Sequence, residues 1–107
     1  MSRSMINIQP NGQETVVQII GLLDTTTTND QADELQRVLD IADKALVMDC
    51  SELEYISSAG LRFFMRLKRE TETKGGKVRI TNMNEDVAEI FRMSGFHNIF
   101  EISESET

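Results

Sequence analysis

The amino-acid sequence predicts an α/β fold built on one small mixed sheet, and three observations carry the prediction. Short β-branched and apolar runs at residues 14–20, 45–48 and 77–82 alternate with longer segments whose apolar residues recur at helical spacing. The first two runs, around Ile6 and Ile8 and then from Glu14, are separated only by Pro10-Asn11-Gly12, a turn signal that predicts an antiparallel hairpin. The later runs are separated by helix-length segments, which predict parallel pairing through right-handed crossovers. The element order is therefore β-β-α-β-α-β-α-β, with helices flanking the sheet.

Ile6 and Ile8 begin the first strand, and Glu14-Thr15-Val16-Val17-Gln18-Ile19-Ile20 forms the second, because β-branched side chains suit a pleated, half-buried surface. If Gly21-Leu22-Leu23 prolongs it, Asp24 leaves its carboxyl end. After four threonines, Thr25 to Thr28, a helix runs from Asn29-Asp30 with Ala32, Leu35, Val38 and Leu39 inward. Asp30, Asp33 and Glu34 favour the positive end of its dipole. Ala45-Leu46-Val47-Met48, ending in Asp49, suits a strand buried on both faces. A second helix is expected from about Ser58 to Glu72, stopped by Gly75-Gly76. Lys77-Val78-Arg79-Ile80-Thr81-Asn82 alternates as a strand. Asn84-Glu85-Asp86 opens a third helix whose apolar set is Val87, Ile90, Phe91 and Met93, ended by Ser94-Gly95. Ile99-Phe100-Glu101-Ile102 reads as an edge strand, and residues 103–107 as a frayed acidic tail.

At 107 residues the chain fits one domain over 1–107, and 39% apolar content suffices for a single core without metal or disulfide. Eighteen acidic residues against eleven basic ones give a net charge of −7, which repels phosphate backbones and anionic headgroups. Nucleic acid and membrane surface are therefore not expected as partners. Cys50, the one cysteine, cannot form an internal disulfide. No apolar run approaches the roughly 20 residues that span a bilayer, and the N-terminus lacks the apolar core of a secretory signal. A soluble cytoplasmic protein is expected. His97 has no neighbouring cysteine or second histidine, Cys50 ends an apolar strand, and no phosphate-binding glycine pattern occurs. Enzyme activity, a metal site and a cofactor are not expected.

The stretch from Asp49 to Leu61 is the most informative, because it joins a strand to a helix through two adjacent serines, Ser57 and Ser58. The first turn of a helix leaves backbone N–H groups unpaired and carries about half a positive charge, so a serine there can cap the helix or carry a phosphate. Both readings stand for Ser58. Ala59 and Gly60 are small enough for another surface to approach. Glycine within a helix costs about 1 kcal/mol relative to alanine, so Gly60 implies a close contact or access to Ser58. Ligand sites of open α/β sheets gather at the carboxyl ends of the strands, which puts Asp24 and Ser58 on one edge. Along the helix, Phe64 belongs to the core and the adjacent Phe63 is expected to be exposed or at the sheet margin. Arg62, Arg66 and Arg69 form a stripe that is either a solvated face or a contact for an acidic partner. Met93, Gly95 and Phe96 stand at the end of the third helix, with core packing for Met93 and a C-cap for Gly95 as the plainer roles.

Asp49 to Leu61, with Gly21-Leu22-Leu23-Asp24 before it and Phe91-Arg92-Met93-Ser94-Gly95-Phe96 after it, resembles the STAS domain family, particularly its stand-alone anti-sigma factor antagonists. The resemblance implies a bacterial partner-switching protein in which an anti-sigma factor with serine kinase activity phosphorylates Ser58 and a serine phosphatase restores it. Phosphorylation at this helix start would switch off binding. Many antagonists carry an aspartate immediately before the acceptor and serine or threonine after it. Here Ser57 and Ala59 stand at those positions, so Ser57 is a second candidate acceptor. Asp24 matches the family's acidic residue near the site, beside Thr25, and Arg62, Phe63, Met93, Gly95 and Phe96 are the expected partner contacts. A monomer or weak dimer is expected. Two alternatives remain: an unphosphorylated scaffold or regulatory module of another complex, such as a transport system, and a domain that binds a nucleotide or small anion at the same helix start.

Overall fold

The computed structural model describes residues 4–103. Its elements are β1 Ser4–Asn11, β2 Glu14–Leu23, α1 Thr25–Asp30, α2 Ala32–Asp40, β3 Ala45–Ile56, α3 Ser58–Lys74, β4 Lys77–Thr81, α4 Glu85–Met93, a 3-10 turn Phe96–Asn98, and β5 Glu101–Ser103. The five strands lie in the order β1-β2-β3-β4-β5, with β1 antiparallel to β2 and every later pair parallel. Each crossover from β2 onward steps one strand in the same direction. Right-handed crossovers therefore bring all the helices to one face of the sheet. The predicted mixed α/β fold is the one observed.

That covered face holds the core. In β2 every second residue is buried, from Thr15 and Val17 through Ile19 to Leu23, as a strand with one packed face requires. Leu46, Met48, Cys50 and Ile80 continue the layer, and Leu35, Val38, Phe64, Leu67, Val87 and Phe91 meet it from the helices. Phe64 and Phe91 stand edge to face at 5.5 Å, and Phe100 approaches both at 6.0 and 6.3 Å.

Several boundaries differ from the sequence reading. Pro10 and Asn11 belong to β1, and the hairpin turns at Gly12-Gln13 between the paired Asn11 and Glu14, with Gly12 at φ +68°. Proline is tolerated there because β1 is an edge strand whose outer side has no strand partner among the described residues to receive an N–H. The threonine run, read as a connection, is itself the short helix α1. Asp24 and Thr27 start it reciprocally: the Thr27 N–H donates to Asp24 Oδ1 at 2.9 Å, and the Asp24 N–H donates to Thr27 Oγ1 at 2.8 Å. α3 runs to Lys74 and is closed by Gly75 at φ +82°. The last strand starts at Glu101, because residues 96–98 form the 3-10 turn, and it lies at the sheet edge as expected. Ser103, placed in the predicted tail, completes that strand opposite Thr81, and residues 104–107 lie outside the described residues.

Candidate functional site at the start of helix α3

The largest difference in the sheet positions the site. β3 was expected to end at Asp49, with a loop from Cys50 to Ser58, but it continues to Ile56. Beyond Asp49 it pairs only with β2. Gln18 faces Asp49 while Ile20 faces Glu52, and Gly21 faces Leu53 while Leu22 faces Tyr55, so β3 carries one extra residue at each of two bulges. The extra residues change the burial period from two to three: Cys50, Leu53 and Ile56 point inward and the residues between them outward. That pattern hides a strand from any reading based on alternation. Asp49 shapes the first bulge, its carboxylate accepting the Ser51 N–H at 3.0 Å.

The ribbon formed by the ends of β2 and β3 delivers two helix starts side by side. Leu23 pairs with Ile56, so Asp24, which caps α1, stands beside Ser57, which opens α3. The Ser57 N–H donates to Leu23 O at 3.0 Å. Its Oγ accepts the Ala59 N–H at 3.2 Å and lies 3.5 Å from Leu23 O as a donor. The cap of α3 is therefore Ser57, not Ser58. Ser58 is the first helical residue, exposed, and its hydroxyl has no hydrogen-bond partner among the described residues. The paired serines divide the work: one satisfies the helix, and the other presents a free hydroxyl on its first turn.

Gly60 explains how α3 sits so close. A Cβ there would lie 2.6 Å from Ile56 Cγ1 and 2.7 Å from Leu23 O, so the first turn rests directly on the ends of both strands. The surface that requires Gly60 is internal. Thr25 is exposed at the start of α1, and the Asp24 carboxylate is committed to the cap through Thr27. At the start of α4, the Asn84 amide donates to Leu53 O at 3.1 Å and braces the ribbon from the other side. That brace left no sequence signal beyond a helix-capping asparagine.

The predicted contact residues separate. Arg62 lies one turn after Ser58 on α3 and is exposed. Phe63, expected to be exposed or marginal, is buried at 8% exposure, because the α1–α2 pair lies along the flank of α3 and gives the helix a second covered side. Met93, placed in the core set, is 78% exposed, since it lies two residues past the buried Phe91 and so points away from the sheet. Phe96 is half-buried against Phe91 and Phe100, and Gly95 makes the turn between α4 and the 3-10 segment at φ +80°. A crossover helix must run back against its strands. α4 starts at the Ser58 edge and carries Met93, Gly95 and Phe96 away from it. The structure thus gathers Asp24, Thr25, Ser57, Ser58, Ala59, Gly60 and Arg62 and leaves those three elsewhere.

Cys50 lies fully buried beneath the ribbon. Burial, and secondarily the neighbouring Asp49 carboxylate, push its thiol up to about 12, so it is no nucleophile at neutral pH.

A mixed sheet covered on one face, with a serine hydroxyl that bonds to no described residue on the first turn of the helix after its third strand, makes a small α/β module with a candidate site at the strand ends. The chain belongs to the STAS domain family, whose sequence profile matches residues 5–107. It is 29% identical over 85 residues to BtrV of Bordetella bronchiseptica, an anti-sigma factor antagonist by assignment, covering 79% of this chain and 73% of that one. Its fold is similar to that of an anti-sigma factor antagonist from Mycobacterium paratuberculosis, with a TM-score of 0.84 at 17% identity over 96% of this chain and 87% of the other. It is similar as well to SpoIIAA in its unphosphorylated form, with a TM-score of 0.73 at 17% identity over 95% and 90% of the two chains. At such identities the two solved structures speak for the fold.

Proposed function

We propose that the protein is an anti-sigma factor antagonist of a bacterial cytoplasm, a binding protein that docks the start of α3 on an anti-sigma factor with serine kinase activity. Phosphorylation of Ser58 ends the contact, and a serine phosphatase restores it. The observation that carries this reading is the exposed Ser58 hydroxyl, released from capping by Ser57. A nucleotide-bearing kinase can reach that oxygen without unfolding the helix. A phosphoserine carries about −1.5 to −2 charge at pH 7, and at an interface it adds desolvation cost and repels carboxylates opposite. Inside the monomer the same charge meets the positive end of α3, so the fold tolerates it. A switch of about 1.4 kcal/mol is already tenfold in affinity. Ser57, half-buried with its oxygen engaged as the cap, is the secondary acceptor.

The test uses a candidate serine kinase, sought among the genes flanking this one and by co-purification with the protein. Incubation with ATP followed by mass spectrometry should place phosphate on Ser58. Ser58→Ala should bind the kinase without being modified, and Ser58→Asp should bind at least about tenfold more weakly. Binding with neither Ser57 nor Ser58 modified, and with both variants equal, would sink the switch and favour an unphosphorylated scaffold.

A further inference from the structure

Every described arginine outside α3 is engaged by a carboxylate: Arg37 with Glu34 at 3.7 Å, Arg79 with Glu14 at 3.2 Å, and Arg92 with Glu89 at 2.6 Å. Arg62, Arg66 and Arg69 on α3 have no ion-pair partner among the described residues, although the chain carries an excess of seven negative charges. All three are exposed, and their spacing of i, i+4 and i+7 sets them in one stripe. Arg62 and Arg66 also rim a groove of about 310 Å³ between α2 and α3. Leu35, Leu39 and Phe63 contribute its apolar lining, and Ala59, the neighbour of Ser58, lines it as well. No aspartate or glutamate among the described residues lines it. On α2, Glu34 faces Arg37, and Asp40 accepts from the Gln36 amide at 2.9 Å.

We propose that this groove docks an acidic amphipathic helix of the anti-sigma factor, with an apolar side chain between α2 and α3 and carboxylates on Arg62, Arg66 and Arg69. The inference rests on the function proposed above and supplies the chemistry of the partner. Charge complementarity selects the occupant: an unpaired guanidinium stripe beside an apolar slot, on a chain whose net charge repels nucleic acid, matches a carboxylate-flanked apolar helix. It also gives the switch a direction. Ser58 and Arg62 stand at i and i+4, so a phosphate on Ser58 draws Arg62 to itself and opposes the incoming carboxylates.

Titration calorimetry with the same kinase separates a local contact from net charge by comparing Arg66→Glu with Lys77→Glu, an equal charge reversal at an exposed site beyond the far end of α3. Circular dichroism verifies that both variants are folded. Arg66→Glu should weaken binding at least about tenfold and Lys77→Glu by less than about twofold. Equal losses overturn the proposal. If the kinase does not bind the wild-type chain at all, the function reading fails and two synthetic helices decide the groove alone. A leucine-glutamate amphipathic helix should shift the amide resonances of Leu39, Ala59 and Phe63 in the wild type and not in Arg66→Glu, and its leucine-lysine counterpart should shift neither. No shift, or equal shifts from both helices, overturns it. Wild-type dimerisation in sedimentation, or retention of duplex DNA, abolished by Arg66→Glu, would give the groove to another occupant and overturn it equally.

Discussion

At the residue scale the two serines are chemically alike and structurally opposite. Ser57 satisfies the Ala59 N–H from the N-cap position, while the Ser58 hydroxyl bonds to no described residue. Ser57→Ala should therefore cost about 1 kcal/mol of stability and Ser58→Ala less than about 0.5 kcal/mol, measured by urea unfolding. The reverse order would return the cap to Ser58. Cys50 makes a second prediction. Its thiol is raised from an ordinary 9.0 to about 12 by burial and by Asp49, so the folded state holds the proton more tightly than the unfolded state. The stability this contributes is complete below pH 9 and is lost as pH rises toward 12. Unfolding free energy measured across that window should fall less steeply for Cys50→Ala than for the wild type. At pH 8 a thiol reagent should label Cys50 only as fast as the protein opens. The sequence marked the serine pair as a helix start. It could not divide the roles, because a one-residue shift in the helix boundary exchanges cap and first residue.

At the element scale the decisive object is the β2–β3 ribbon and the helix resting on its end. Gly60→Ala would force a methyl against Ile56 and the Leu23 carbonyl, so it should destabilise the protein by about 1–3 kcal/mol despite alanine's better helix propensity. A neutral or stabilising result in thermal unfolding would mean that α3 lifts freely off the strands. The long helix, the capped α4 and the hairpin were legible because their apolar spacing and turn residues carry local signals. The second half of β3 was not. Two bulges gave it a burial period of three, a property of pairing with β2 rather than of the segment itself. Phe63 escaped for a related reason: a helix covered by a sheet on one side and by α1 and α2 on another buries adjacent positions, which one amphipathic face cannot predict.

At the scale of the molecule, one-sided coverage by helices leaves the other sheet face to be protected by side chains. Arg79 on β4 reaches across β3 to Glu14 on β2, with Nε and Nη2 donating to the two carboxylate oxygens at 3.3 and 3.2 Å. Val47 on β3, opposite Val16 on one side and Arg79 on the other, is only 1% exposed, while Glu14 stands opposite Ala45. Arg79→Ala removes both the pair and the aliphatic cover and should cost about 1 kcal/mol, more than charge loss alone at an exposed site. Glu14→Gln, which keeps the reach, should cost less in the same denaturant titration. The sequence by itself determined the order and type of the main elements, the mixed sheet, the charge balance and the position of the serine pair, because these follow from local periodicity, turn chemistry and composition. Only the tertiary structure decided that Ser57 caps and Ser58 is free, that Met93, Gly95 and Phe96 lie away from the Ser58 edge, and that α2 and α3 enclose a groove rimmed by unpaired arginines. Each of those depends on which surfaces meet across residues far apart in the chain, and no local pattern encodes that meeting.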